Sequence, residues 1–247
     1  MKAVRFNQFG GPEVLEIVDL PDPHPGPGQV RIAVRAAGVN PSDWKKRKGL
    51  MDGELPQTLG HEAAGVVDEL GEGVADVAVG DRVFGFSGEG AAQAELAVLS
   101  YYAPIPPSLD FPGAAALPAA IETATRALDQ LGVGSGSTLL VNGASGSVGS
   151  AAVQLAVVRG GRVIGSASPA NHEYLRSLGP SPSPTARAWS SGFARSRPTA
   201  SASRSTSPGA ASCPSSSSSR VRAVSAGHKP QNIPFRSASR LARTLNR

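Results

Sequence analysis

The stretch Ser137–Ala156 constrains the fold of this chain more than any other part of its sequence. It begins with the apolar run Leu139–Val141, which suits a fully buried strand. Three glycines follow at three-residue spacing, Gly143, Gly146 and Gly149, and the apolar residues after them recur with the period of a helix. A strand, a glycine turn and a helix in this order predict the phosphate-binding turn of a dinucleotide-binding α/β unit.

Each glycine of this Rossmann-type turn has a predicted role. Gly143 can take the backbone angles of a tight turn, Gly146 keeps no side chain between the backbone and a pyrophosphate, and Gly149 lets the helix approach the strand. The N–H groups at the start of the helix then face the phosphates. We therefore predict cofactor contacts from Gly143, Ser145, Gly146, Ser147, Val148 and Gly149. The alternative is an ordinary Gly/Ser loop between a strand and a helix.

The charge distribution divides the chain near residue 179. All 19 acidic residues lie in residues 1–173, whereas the 24 Lys and Arg residues divide into 13 before residue 180 and 11 after it. The first part therefore carries a net charge of −6 and the last part +11, so the pI of 9.8 reflects the C-terminal segment. A basic pI often points to nucleic-acid partners. The acidic body of this chain disfavours them.

The order of the remaining patterns predicts an α/β plus β protein. Residues 1–111 contain short strands with glycine turns between them, which is typical of a barrel-like β domain. The predicted strands are Val4–Phe6, Val14–Val18, the strictly alternating and therefore half-buried Gln29–Arg35, Gly65–Gly71, Asp81–Phe86 and Ala92–Val98. Residues 112–179 contain a helix and then β-α-β-α, the first half of a doubly wound Rossmann sheet. We expect the sheet to hold two strands, the second at Arg162–Gly165.

Residues 180–247 depart from both patterns. They are rich in Ser, Arg, Pro and Ala and poor in large apolar groups, which predicts a disordered basic tail. Two alternatives stay open, a basic arm for nucleic acid and the product of a shifted reading frame. The second is our preference, because one choice of GC-rich codons for Thr185–Ser219 encodes an acidic, strand- and helix-patterned sequence in the neighbouring frame. The gene's nucleotide sequence across codon 179 decides between them.

Cysteine content and hydropathy bound the environment of the protein. Cys213 is the single cysteine, so one chain can form neither a disulfide nor a metal site built on several cysteines. The N-terminus lacks the apolar region of a signal peptide, and no run reaches the ~18 apolar residues of a membrane span. The sequence predicts a cytoplasmic protein without a membrane partner.

Several blocks in order resemble the medium-chain dehydrogenase/reductase family, in its zinc-free quinone oxidoreductase (zeta-crystallin-like) branch. Besides the glycine stretch, the matching blocks are Ala36–Asp43, Leu59–Val67, Val79–Phe84 and Leu117–Ala124. The resemblance implies a GroES-like catalytic domain followed by a Rossmann domain for NADP(H). It also implies hydride transfer from NADPH to quinones or other α,β-unsaturated carbonyls, without a metal.

The resemblance also assigns candidate residues. Asn40 and Thr123 match family positions beside the nicotinamide ring, where an amide or a hydroxyl can position a carbonyl without titrating. Asn40 can equally be a turn former before Pro41, and Thr123 a helix residue that bonds its own backbone. At the end of the second strand, Ser168 and the absence of an acid before Glu173 favour NADP over NAD, whereas Asn171 and His172 stand where a basic residue is usual.

A metal site is not expected. The zinc-binding relatives of this superfamily use a Cys in the first block and the His of a Gly-His-Glu block. Here Asn40 stands near the position of that Cys, and His61 with Glu62 supplies fewer than the about three protein ligands that catalytic zinc requires. We expect His61 and Glu62 to hold the turn before a strand by hydrogen bonds.

An incomplete sheet has consequences for function. An exposed sheet edge favours aggregation, and we expect poor stability and weak or absent NADPH binding. Loss of activity stays open, and so does a family-like homodimer, which the incomplete sheet disfavours. Two other functions stay open: a non-catalytic NADPH-binding or structural, crystallin-like protein, and a nucleic-acid binder that acts through the basic tail. Steady oxidation of NADPH by a quinone would distinguish a quinone or enone reductase from these two functions.

Overall fold

A computed structural model describes residues 1–51, 53–88 and 90–179 and the backbone of 221–225. Two compact units are present, one containing Met1–Glu122 and the other beginning at Thr123. Apart from residues 221–225, the segment 180–247 lies outside the described residues. The predictions of a basic nucleic-acid arm and of a shifted reading frame fall on that segment.

The first unit is built on a five-stranded antiparallel sheet. Its strand order is β7-β3-β5-β6-β8. The strands are β3 (Val30–Ala37), β5 (Glu62–Leu70), β6 (Arg82–Phe86), β7 (Leu96–Leu99) and β8 (Tyr101–Pro104). Alternating residues of β3, Val30 and Ile32, are fully buried, which confirms the half-buried strand predicted from their spacing. They pack with Val67, Val83 and Leu99 into one apolar cluster.

A smaller sheet, three α-helices and one short 3₁₀ helix complete the described part of this unit. The sheet has the order β2-β1-β4, formed by β1 (Lys2–Phe6), β2 (Glu16–Asp19) and β4 (Gln57–Thr58). The helices are α1 (Pro41–Arg47), α2 (Phe111–Ala115) and α3 (Pro118–Gln130), the last of which continues into the second unit.

Some predicted strand bounds were wrong. Val14 belongs to a short 3₁₀ helix, Pro12–Val14, because Pro12 sets a helical backbone angle there. The predicted strand at 92–98 begins only at Leu96. Tyr101 and Tyr102 begin β8, where their backbone pairs with β6.

The second unit contains the predicted Rossmann turn. Its elements are β9 (Thr138–Asn142), α4 (Ser147–Val158), β10 (Arg162–Ser166) and α5 (His172–Ser177), with a 3₁₀ turn at Pro169–Asn171 before α5. β9 and β10 pair in parallel, as the β-α-β pattern predicts. The core of the unit includes Leu128, Leu139, Val141 and Ala156.

A third strand corrects the prediction of a two-stranded sheet. β11 (Val221–Ser225) pairs in parallel with the other side of β9, so the order is β10-β9-β11. For these five residues, the prediction of a disordered chain is therefore wrong. Composition could not reveal the strand, because five residues with two valines are too few to change the average composition of a Ser/Arg-rich segment. The strand forms because the open edge of β9 offers hydrogen-bond partners to its backbone.

No described helix combines the length and the apolar character that crossing a membrane would require.

Two adjacent leucines of β9 allow a test of this unit's core. Leu139 is fully buried and Leu140 is 37% exposed. We expect Leu139→Ala to lower the free energy of unfolding of the second unit by about 2–5 kcal/mol, because it leaves a cavity. Leu140→Ala, the matched control, should cost less than about 1 kcal/mol. Urea unfolding followed by circular dichroism measures both, and equal losses would contradict the described packing.

Candidate functional site

Glu62 begins β5 and is 3% exposed. The neighbouring strand β3 ends at Ala37, which pairs with Ala63, so Gly38 lies beside Glu62. A Cβ atom on Gly38 would lie 2.3 Å from Glu62 Oε1. The absence of a side chain at Gly38 therefore gives the Glu62 carboxylate room to pass the end of β3.

The Glu62 carboxylate joins the end of β3 to the start of α3. Its Oε1 accepts a hydrogen bond of 2.6 Å from Asn40 Nδ2, and its Oε2 accepts one of 2.7 Å from the backbone N–H of Ala119. Ala119 is the second residue of α3, where N–H groups have no acceptor within the helix. Glu62 therefore serves as a remote cap for this helix and fixes the amide of Asn40 at the same time.

Asp43 is the second buried carboxylate of this region, and it is 3% exposed. Asn40 is the N-cap of α1, and Asp43 lies in the first turn of that helix. Its Oδ2 accepts from the N–H of Asn40 at 2.7 Å, and its Oδ1 accepts from the N–H of Gly60 at 3.1 Å. Asp43 thus ties α1 to the turn that leads into Glu62.

Burial sets the protonation of the ionisable groups in this turn. It raises the pKa of the Glu62 carboxyl above the ordinary 4.5; the hydrogen bonds from Ala119 and Asn40 lower the pKa in part, and the charge of Asp43 raises it further. Burial also lowers the pKa of His61 below 6.5, the charge of Lys46 acts in the same direction, and Asp43 opposes both. At neutral pH the His61 imidazole is therefore uncharged.

The raised pKa of Glu62 predicts a pH dependence of stability. Between the ordinary value of 4.5 and the raised value, the folded protein binds more protons than the unfolded chain. The contribution of Glu62 is therefore fully present below pH 4.5 and is lost as the pH rises through the raised pKa. We expect the stability difference between wild type and Glu62→Gln to fall over this range, as measured by urea unfolding between acidic and neutral pH.

His61 serves as an internal control for that measurement. Its lowered pKa removes stability as the pH falls below 6.5, but it does so in both proteins and cancels in the difference. A stability difference that stays constant with pH would contradict the assignment to Glu62.

The glycine turn of the second unit confirms two of the predicted conformational roles. Gly143 has a φ of 71°, in the left-handed region that favours glycine. A Cβ atom on Gly149 would lie 2.2 Å from the carbonyl oxygen of Gly143, so α4 approaches the turn more closely than a side chain permits. The backbone of Gly146 needs no glycine, because its φ is −77° and a Cβ atom there would meet no atom nearer than 3.5 Å.

Polar side chains surround this turn at the carboxyl ends of β9 and β10. Ser166 Oγ donates to Asn142 Oδ1 at 2.6 Å and accepts from the N–H of Gly143 at 3.3 Å. Asn171 Nδ2 donates to Ser145 Oγ at 3.2 Å and to Ser168 Oγ at 3.1 Å. The predicted residues Ser145 and Ser168 are therefore linked through Asn171.

The predicted site residues fall into both units. Asn40 lies in the first unit, half-buried and bonded to Glu62. Thr123 lies on α3 at the start of the second unit. The cofactor candidates lie together, with Gly146 as N-cap and with Ser147, Val148 and Gly149 in the first turn of α4.

Sequence reasoning missed the roles of three residues. It treated Asn171 only as a departure from the family pattern, although this residue bridges the glycine turn and Ser168. It assigned Glu62 to the turn before β5, whereas the side chain bonds Asn40 and α3. No local signal could have shown the contact of Asn171 with Ser145 or those of Glu62, since these pairs lie 22 or more positions apart. The contact of Asn171 with Ser168 spans only three positions. For Ser166, the position at the end of a strand was a usable signal.

Within the described residues, no group of three or more His, Cys, Asp or Glu side chains is arranged to hold a metal ion.

The last two glycines of the turn, Gly146 and Gly149, form a matched pair for mutagenesis. Gly149→Ala should lower the free energy of unfolding of the second unit by about 1–3 kcal/mol, because the new methyl group overlaps backbone atoms. Gly146→Ala should stay within about 1 kcal/mol of wild type, because its backbone angles suit alanine. Thermal unfolding of both variants provides the test. If Gly146→Ala proved the more damaging change, the described contact between α4 and the turn would be wrong.

Comparison with known proteins extends these observations. Residues 26–108 match the family described as the alcohol dehydrogenase GroES-like domain. The quinone oxidoreductase of Rattus norvegicus is 42% identical over 173 residues, which are 68% of this chain and 53% of the rat protein. The chain therefore spans about half the length of the curated relatives it matches.

Solved structures show the same similarity. The quinone oxidoreductase from Coxiella burnetii has a TM-score of 0.66 and 40% identity, over 72% of this chain and 60% of that one. A mycobacterial protein complexed with NADPH has a TM-score of 0.65 and 34% identity, over 72% and 57%. An NAD-dependent alcohol dehydrogenase has a TM-score of 0.65 and 37% identity, over 72% and 62%.

Proposed function

We propose that this chain is an NADPH-dependent oxidoreductase of quinones or other α,β-unsaturated carbonyls. It belongs to the medium-chain dehydrogenase/reductase superfamily, and quinone oxidoreductases are among its relatives. The chain covers about half of those relatives, so the proposal concerns the activity that this portion supports.

The observation that carries the proposal is the surroundings of Gly146. Among the residues that the structure describes, nothing demands a glycine there, since its backbone angles are ordinary and the space beyond its Cα is open. A residue without a side chain at the exposed N-cap of α4 keeps the helix N-terminus accessible to an anion. The turn also follows β9, which has β10 on one side and β11 on the other, where ligands bind in open α/β sheets.

The preference for NADPH over NADH rests on charge. NAD-binding proteins of this fold usually place an acid at the end of the second strand for the ribose hydroxyls. β10 ends here at Ser166, and no acid follows before Glu173. The side chains near this end, Ser168 and Asn171, are uncharged and exposed. They can donate hydrogen bonds to a 2′-phosphate without repelling it.

The chemistry divides between the cofactor and the protein. Bound NADPH would supply a hydride to the substrate, with a proton from water completing the reduction. The chain would contribute binding and orientation. In the second unit, the first N–H groups of α4 would hold the phosphates, and the hydroxyl of Thr123 would offer a hydrogen bond to a polar group of a ligand. In the first unit, the amide of Asn40 would do the same. Because these two groups do not titrate, neither acts as a general acid.

Valine at Gly146 tests the phosphate cradle directly. Gly146→Val should weaken NADPH binding by about tenfold or more, because its side chain occupies the space proposed for a phosphate. Gly134→Val is the matched control, since Gly134 also has open surroundings but precedes β9, at the opposite end of that strand. NADPH fluorescence titration of the full chain, with thermal unfolding to verify the fold, measures both.

Turnover separates the proposed function from its alternatives. A water-soluble 1,4-quinone should cause continuous loss of NADPH absorbance in the presence of wild-type protein. Saturable NADPH binding without turnover would favour a binding or structural protein. Failure of the folded wild type to bind NADPH at all would overturn the proposal.

A further inference from the structure

We propose that Glu62 is a positioning residue that sets the orientation of the Asn40 amide for the reaction. This inference rests on the proposed function, in which Asn40 contacts the cofactor or the substrate. It starts from the 2.6 Å hydrogen bond between Asn40 Nδ2 and Glu62 Oε1. An ionised carboxylate only accepts hydrogen bonds, so the amide must turn its NH₂ group, and not its oxygen, toward Glu62.

That constraint defines what Asn40 presents to a ligand. One N–H of the amide is committed to Glu62, which leaves Oδ1 as an acceptor and the second N–H as a donor, each in a fixed direction. A neutral partner such as glutamine could instead donate to Oδ1, and the amide could then rotate by half a turn about its last bond. The charge of Glu62 therefore selects one of two orientations with nearly the same shape.

Glu62 is itself held on the opposite side. Its second oxygen accepts from the N–H of Ala119 at 2.7 Å, in the first turn of α3. The backbone of Asn40 is held independently, because its N–H donates to Asp43 Oδ2 at 2.7 Å. With the backbone and one N–H of the amide both fixed, little rotational freedom remains for the Asn40 side chain, which is how preorganised sites gain rate.

Burying the charged Glu62 carboxylate lowers the stability of the fold, and a residue with only a structural role would not require such a charge. Burial raises the pKa of Glu62, which shows that the fold disfavours its charged form. Gly38 leaves room for the carboxylate, since a Cβ atom there would overlap Glu62 Oε1. A buried charge with two well-placed donors beside a candidate site is the pattern expected of an orienting group.

The test combines kinetics with a double-mutant cycle on the full chain. Glu62→Gln and Asn40→Ala should each lower kcat for NADPH-dependent quinone reduction by about tenfold, with little change in the KM for NADPH. The double variant should be no slower than Asn40→Ala alone, because Glu62 acts through Asn40. Glu72→Gln, an exposed residue after β5, is the matched control and should retain the wild-type kcat. Additive losses, or a wild-type kcat in Glu62→Gln, would overturn the inference.

A spectroscopic arm is independent of turnover. The side-chain amide signals of Asn40 in nitrogen–proton correlation spectra are identified by their loss in Asn40→Ala. They should shift in Glu62→Gln and stay in place in Glu72→Gln. If Glu62→Gln does not fold, Glu62→Asp keeps the charge but withdraws the carboxylate by one methylene, and the same shift is expected.

The two arms distinguish the two levels of the proposal. If the wild type does not reduce quinones but the Asn40 signals move in Glu62→Gln, the proposed function fails and the positioning contact stands. If the signals do not respond to Glu62→Gln or Glu62→Asp in folded protein, the inference is wrong whatever the turnover.

Discussion

The candidate site of the N-terminal unit depends on the hydrogen bonds that the buried Glu62 carboxylate accepts. A charge in an apolar environment is costly unless hydrogen-bond donors surround it. Two donors meet Glu62 here, the amide of Asn40 and the N–H of Ala119, and they come from the end of β3 and the start of α3. The need to satisfy one carboxylate therefore holds two distant parts of the unit in register.

The glycine turn of the second unit is determined by steric constraint and not by charge. The close approach of α4 to Gly143 leaves no room for a side chain at Gly149. Gly146 is free of this constraint, since its φ is −77° and a Cβ atom there would meet no atom nearer than 3.5 Å. The two glycines therefore differ: Gly149 is required by packing, and Gly146 is the one on which the proposed phosphate site depends.

Much of this fold was predictable because its signals are local. Alternation in β3, the apolar run of β9 and the helical period of α4 each report burial along a single element. The bounds of short elements were less predictable. Val14 entered a 3₁₀ helix rather than a strand, and β11 lay hidden in a Ser/Arg-rich segment. In both cases the backbone adopts the structure its partners and neighbours offer, which composition and propensity reflect only weakly.

The sequence by itself determined the Rossmann-type turn, the strand patterns and the candidate residues, because spacing along the chain specifies which backbone angles and which faces are available. Only the tertiary structure decided which of those residues meet. Asn40 and Glu62 are 22 positions apart, and Glu62 and Ala119 are 57 apart. Asn171 reaches Ser145 across 26 positions. Such contacts depend on how strands pair and where helices begin in space, and a hydrogen bond between distant residues has no period that a single sequence can display.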